Sequence, residues 1–317
     1  MKKTALLSLL IPLMGGLSAC NQDNAKWHIG VCQLVTHDAL DAATRGFKEE
    51  LEKEFGADVK IDIQNASGES ANCVSICNKF VSKNVDLIMA NATPALQAAA
   101  NSTTTIPILG TSITEYGVAL NIDNFDGKTG RNISGTSDLA PLVEQVDMLE
   151  EIFPDANKVG LLYCASEANS KYQVDVVKAQ LIEDGKTVEM MSFSDSNDIA
   201  SVLRGKIDNL DVVYIPTDNT AASNAETIDS ICREKKVPVV AGEEGICKVC
   251  GTVTLSIDYY NIGVETGNMA IDILKNGKDP KDMAIPYDRS PVKKFNKEIC
   301  DALGITDRIT SEYKEIK

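Results

Sequence analysis

The chain has 317 residues, 44% of them apolar, and a formal net charge of −15. That length exceeds one ordinary core and suits two lobes, and the apolar share excludes a disordered chain. So acidic a chain repels phosphate backbones, which argues against a nucleic-acid partner, and only two histidines, His28 and His37, argue against a multi-histidine metal site.

In chain order, MKKTALLSLLIPLMGGLSAC (1–20) sets two lysines before an apolar stretch that ends in small residues, the layout of an export signal. The stretch is shorter than the roughly 20 residues of a spanning helix, and Pro12 and Gly15-Gly16 interrupt it. Leu17-Ser18-Ala19-Cys20 resembles the bacterial lipobox, which implies removal of residues 1–19 and acylation of Cys20. Residues 20–26 are then a lipidated tether that holds a water-soluble body on the extracytoplasmic face of the membrane.

From residue 27 strands and helices alternate. WHIGVCQLV (27–35) predicts a strand and HDALDAATRGFKEELEKEFG (37–56) an amphipathic helix closing at Gly56. Strands follow at VKIDIQNA (59–66), VDLIMANAT (85–93) and IPILGTSI (106–113). Between them lie helices over 69–84, with Val74, Cys77, Phe80 and Val81 along one side, and over 94–102, opened by Pro94. NFDGKTGRNISG (124–135) marks a boundary, and the alternation restarts. Helices are predicted over 141–154, 170–185, 196–207, 221–236 and 261–277, with strands at 158–165, 186–194, 212–218, 237–245 and 251–260. The fold class is therefore α/β, with two doubly wound, Rossmann-like parallel-sheet lobes.

Nine cysteines are present. Cys247-Lys-Val-Cys250 suits a small disulfide or half a metal site, but no second CxxC or CxxH completes one, and buried free thiols are the plainer reading for the rest.

Ligands of open parallel sheets bind beyond the carboxyl ends of the strands. Here those ends are THD (36–38), ANATP (90–94), GTSITE (110–115), CASEANS (164–170), PTDNT (216–220) and AGEEG (241–245). Helix capping explains part of this polarity, Thr93 before Pro94 among it, but not polar groups in series at the same end of both units. Two polar rims facing one another predict a binding cleft. No nucleophile elbow, phosphate loop, dinucleotide fingerprint or zinc-protease motif is present, and no cofactor is implied. A surface enzyme working through Asp218 with Glu243 or Glu244 is the alternative of a different class.

HDALDAATRGF, ANATPALQAAAN, ISGTSDLAP, LLYCASEANS, VYIPTDNT and SIDYYNIGVETGNMAIDIL resemble the bacterial ABC-transporter substrate-binding lipoproteins of the periplasmic-binding-protein type I superfamily. Within it, the likeness is to the group that includes tryptophan- and other aromatic-amino-acid-binding proteins. The resemblance implies a monomer that serves an ABC permease and ATPase, with a hinge between discontinuous lobes, 27–134 plus 256–283 and 135–255 plus 284–317. It also implies an α-amino acid ligand, tryptophan, phenylalanine or tyrosine among the candidates. For that ligand, Thr93, Thr111, Ser112 and the amides after Pro94 suit the carboxylate, as do Asn169 and Ser170. Asp218 suits the ammonium and Asn219 fixes orientation; Glu167 and Glu244 are further cation candidates, and His37 stacks on the ligand, bonds it, or caps the first helix. Tyr116, Tyr163, Phe47 and Tyr172 are candidate stacking partners, while Trp27 is structural. CASEANS and GTSITEYG depart from the asparagine-proline and aspartate-proline pairs usual in relatives, so the selectivity of a sugar, a nucleoside or another amino acid stays open.

Overall fold

Short apolar runs buried on both faces become strands here, because helices cover each side of the sheet they join. The computed structural model describes residues 25–287 and 290–317. The expected export signal, Cys20 and most of the tether lie outside the described residues. In chain order come β1 (Trp27–Gln33), α1 (Asp38–Phe55), β2 (Val59–Asn65), α2 (Ser70–Ser82), β3 (Leu87–Asn91), α3 (Thr93–Ser102), β4 (Ile108–Ile113), α4 (Tyr116–Leu120) and β5 (Ile133–Ser137). Their strands pair in parallel in the order β2-β1-β3-β4-β5.

The chain then crosses to a second sheet. Its elements are α5 (Leu142–Ile152), β6 (Lys158–Cys164), α6 (Ala168–Glu183), β7 (Thr187–Phe193), α7 (Ile199–Lys206), β8 (Val212–Ile215), α8 (Asn219–Ala222), α9 (Ala225–Lys235), β9 (Val239–Ala241), α10 (Glu244–Cys250) and β10 (Val253–Ser256). A second crossing brings α11 (Tyr259–Asn276) back onto α1, and a third returns β11 (Val292–Phe295), α12 (Lys297–Leu303) and β12 (Lys314–Glu315) to the second sheet. That sheet runs β12-β11-β10-β9-β8-β6-β7 and is parallel except where β11 pairs antiparallel with β10.

Several local expectations shift. The boundary expected at 134/135 falls inside β5, which belongs to the first sheet. ISGTS hides its strand character because its residues are small, and Gly135 is required there: with φ +142°, a Cβ would stand 2.0 Å from the Gly110 carbonyl oxygen on β4. On α2 the buried stripe is Cys73, Cys77 and Phe80, while Val74 is 44% exposed. The helix expected over 221–236 is two, because Asp218 caps a separate α8 before a turn at Ser223-Asn224. The Cys247-x-x-Cys250 pair lies inside α10, and all eight cysteines from Cys32 to Cys300 are buried free thiols.

Closure of the first lobe depends on how near α11 comes to α1. A Cβ on Gly263 would lie 2.0 Å from the Ala43 carbonyl oxygen, and one on Gly46 would lie 2.2 Å from the Tyr260 carbonyl oxygen. Backbone atoms cannot swing aside as a side chain can. Alanine normally favours a helix over glycine by about 1 kcal/mol, so the sign of the effect is diagnostic. Gly263→Ala is expected to destabilise the protein by about 2 kcal/mol or more in denaturant unfolding. A gain in stability would mean that the two helices are not held at this distance.

Candidate functional site

Each sheet reverses its strand order once, between β1 and β3 and between β6 and β8, and a crevice opens at such points. The loops leaving these four strands carry THD, ANATP, CASEANS and PTDNT. They are the stretches in which polar residues crowd.

In the second lobe two of these stretches grip each other. Glu167, just ahead of α6, is buried and does not cap its own helix. Its Oε2 accepts from the Asn219 backbone N–H (3.1 Å), Asn219 Nδ2 (2.6 Å) and Asn169 Nδ2 (3.2 Å). Its Oε1 accepts from the Thr220 backbone N–H (2.9 Å) and hydroxyl (2.7 Å). Asp218 answers from the other side, accepting from the Cys164 N–H at 2.6 Å and from Ala221 N–H, which it caps, at 2.8 Å; the Ser170 hydroxyl bonds it too. Asn169 Nδ2 donates to the Thr217 carbonyl at 3.1 Å, and Gln173 bonds both backbone groups of Thr217 at 3.1 Å. The two polar stretches are one welded wall.

The first-lobe rim is strained instead. Ala92 has φ +92° and Ser112 φ +55°, both in the region that favours glycine, at the ends of neighbouring strands. Ala92 N–H donates to the Thr111 carbonyl (3.1 Å), and Thr93 opens α3 directly with Pro94 behind it, so the first-turn amides of α3 lack helical partners. Thr111 and Ser112 part company. The Thr111 hydroxyl joins a chain through Thr136 (3.4 Å) to Thr266 on α11 (2.8 Å), within the lobe, whereas the buried Ser112 hydroxyl has no partner.

The lobes touch. His37 Nε2 and Asn219 Oδ1 lie 3.2 Å apart, and Asp38 approaches Lys248 at 3.6 Å. Because Asn219 Nδ2 is given to Glu167, its Oδ1 must accept, so Nε2 is the protonated nitrogen of His37. Burial lowers the His37 pKa and keeps the ring neutral near pH 7. His37 precedes α1 without capping it by its side chain, and its Nδ1 lone pair is buried and unpartnered. Tyr259, the first residue of α11, donates to Asp138 Oδ2 at 2.9 Å and also bonds Thr217.

Among the described residues six buried side-chain atoms lack a partner. Four of them, His37 Nδ1, Ser112 Oγ, Asp138 Oδ1 and Asn169 Oδ1, belong to the crevice rims or the first crossing, where a ligand would satisfy them. The charge is equally one-sided. Asp138, Glu167, Asp218 and Glu243 are buried, and none of the ion pairs of the described residues includes them. Sequence reasoning passed over Asp138 and Tyr259, although TSDLAP and SIDYYN both lie in stretches that carried the resemblance.

Other expectations resolve into packing. Phe47 is core of the first lobe, and Tyr116 is fully buried, donating to the Thr136 carbonyl at 3.1 Å and stacked on Phe125. Tyr163 packs on the second core, and Trp27 stands against Phe55, away from the rims. Tyr172 of α6 remains half-buried where α4 meets α6; burial and then the Glu115 charge raise its pKa, and Tyr287 at the third crossing responds to the same carboxylate.

A family described as ABC transporter substrate binding protein matches residues 28–314. The chain belongs to this family. The substrate-binding protein is 32% identical to a tyrosine-binding protein from Clostridioides difficile (strain R20291), over all of this chain and 97% of that protein. Its fold matches a Streptococcus pneumonia ABC domain in complex with L-Trp at a TM-score of 0.87, with 32% identity over 92% of this chain and all of that one. A ligand-free, open substrate-binding protein with adhesive properties from Clostridium difficile is 36% identical over 92% of this chain and 99% of that one, yet matches at only 0.69. The present arrangement, in which His37 meets Asn219 and Tyr259 meets Asp138, thus follows the L-Trp complex more closely than the open, ligand-free relative.

In this substrate-binding protein the acids of the enzyme alternative are engaged. Glu243 caps α10 through Gly245 N–H (2.6 Å) and Ile246 N–H (2.5 Å), and half-buried Glu244 pairs with Lys294. Asp218, expected to face an ammonium, has both oxygens on backbone N–H groups of its own lobe. Glu167→Ala removes the acceptor of five hydrogen bonds and should cost about 3 kcal/mol of stability, read by denaturant unfolding. A loss below about 1 kcal/mol contradicts its role as the clamp.

Burial pushes Asp138 up to about 6 and Glu243 up to about 7; it does the same to Asp218, to about 7, with the Glu167 charge adding to it. A carboxyl that holds its proton more tightly folded than unfolded stabilises the fold when protonated. The ligand-free protein should therefore melt higher as pH falls from 8 to about 5, above the ordinary carboxylate range near 4. A melting temperature that is flat or falls over that interval would count against this ionisation pattern.

Proposed function

We propose that this protein is the lipid-anchored, extracytoplasmic receptor of an ABC importer, that it closes on an aromatic amino acid between its lobes, and that it performs no chemistry on it. The observation that carries the reading is the set of unpartnered buried polar atoms on both rims of the crevice, in a fold that follows an L-Trp complex more closely than an open, ligand-free relative. The C. difficile relative named for tyrosine supports the same ligand class.

The parts fit a zwitterion with a large side chain. Ser112 and the first-turn amides of α3 suit the carboxylate. A buried acid with an unpartnered oxygen and no cation of its own suits the ammonium. Tyr172 and Tyr287, which feel each other and the same Glu115 carboxylate, are the candidates for a ring. Burying about 150–250 Å² of aromatic surface at about 25 cal/mol per Å² supplies roughly 4–6 kcal/mol, so the ring contributes much of the affinity and the polar ends select. Anchoring at Cys20 and service to a permease and ATPase complete the reading.

Calorimetric titration of protein refolded free of carried-over ligand, against the twenty amino acids, tests it: tight one-to-one binding of tyrosine or tryptophan is expected, and binding of none of the twenty rejects the ligand class. A substitution separates ligand contact from strain. Ser112→Gly relieves the positive φ, so the melting temperature should hold or rise while affinity falls about tenfold with the lost hydroxyl. Unchanged affinity would remove Ser112 from the site.

A further inference from the structure

Four buried carboxyl groups border the crevice, and three are already engaged at both oxygens: Glu167 by the 219–220 loop, Asp218 by Cys164 and Ala221, and Glu243 by the start of α10. Asp138 differs. It follows β5 directly and is 2% exposed; its Oδ2 accepts the Tyr259 hydroxyl, and its Oδ1 accepts nothing.

The surroundings of Asp138 come from both lobes. Its N–H donates to the Ile113 carbonyl at the end of β4 (3.1 Å), and the Thr114 hydroxyl bonds its carboxyl beside that of Tyr259. Tyr259 stands at the second crossing, and its hydroxyl also bonds Thr217 on the second-lobe wall. A side chain tied at once to the carboxyl edge of the first sheet and to the wall of the second lies between them. No lysine or arginine pairs with it among the described residues. A buried carboxyl group held only by neutral donors, with one oxygen unpartnered and no cation, is costly, and a ligand that brings a cation removes the cost.

We propose that Asp138 is the anchor for the α-ammonium group of the bound amino acid, with Tyr259 as a positioning residue that holds the carboxylate across the hinge. An ammonium group has three N–H donors. One meets Asp138 Oδ1, and the unpartnered Asn169 Oδ1 of the opposite wall is an acceptor for another. The ligand's cation then bridges the first crossing and the second lobe, so that recognition of the amine and closure of the lobes are one event. The role expected of Asp218 passes to Asp138, because Asp218 already holds its own loop together. The inference rests on the amino-acid reading given above.

The test compares L-tyrosine and L-tryptophan with 3-(4-hydroxyphenyl)propionate and indole-3-propionate, which keep ring and carboxylate and lack the amine. Titrations use the full chain with Asp138, with Asp138→Asn and with Tyr259→Phe. Asp138→Asn should weaken the two amino acids by about 100-fold or more and leave the amine-free acids within about threefold. Tyr259→Phe should reduce the preference for the amine about tenfold, which a purely structural loss would not do selectively. It carries the test alone if Asp138→Asn does not fold. Amino-acid affinity within about threefold of the parent in Asp138→Asn overturns the proposal, as does an equal loss for both ligand sets. Failure of the unsubstituted protein to bind either amino acid overturns the amino-acid reading first, before any variant is compared, and this proposal with it.

Discussion

The site depends on one carboxylate. Glu167 collects five neutral donors from the loop that follows β8 and from its own helix, and in doing so fixes Asn219 and Thr220 where the second lobe meets the first. No cation shares the work, so the arrangement holds only because every lone pair finds an N–H or O–H. From it follow the orientation of the Asn219 amide, the tautomer of His37, and the contact that joins the two lobes.

The two walls of the crevice are built on different principles. The second-lobe wall is rigid and, apart from Asn169 Oδ1, satisfied internally, with its acids turned onto donors of their own lobe. The first-lobe rim stores strain at Ala92 and Ser112 and leaves hydroxyl and amide groups unmatched. A rigid wall against a strained rim suits a receptor that must be incomplete until a ligand arrives. Asp138 has the same meaning, for it is the buried acid whose second oxygen is left without a partner.

Much of this was legible in the sequence and some was not, for physical reasons. The alternation of runs and the polar strand ends located both sheets and the crevice, because burial on both faces and the emergence of loops at one edge leave marks in composition. The pairing of acids with donors leaves none. Glu167 read as a weak cation candidate because nothing in SEANS tells that its partners lie some fifty residues on. Thr111 and Ser112 looked equivalent, although adjacent strand residues face opposite sides and only one can look into the crevice. Asp138 escaped notice because β5, built of small residues, did not register as a strand, so the crossing behind it was misplaced by a few positions. Tyr116 and Phe47 show the reverse error, since ring-bearing residues near a rim are as readily core as contact.

The glycine-to-carbonyl seam between α1 and α11 also bears on how the molecule comes into being. Residues 38–55 and 259–276 lie on either side of nearly the whole second lobe, so the contact that completes the first lobe closes a loop of some two hundred residues. Such closure is slow and comes late. The amino-terminal lobe cannot finish folding while the chain is still short; it waits for a helix made almost at the end. The first lobe therefore stays pliable until the last fifth of the chain is made, and becomes rigid only when α11 seats on α1.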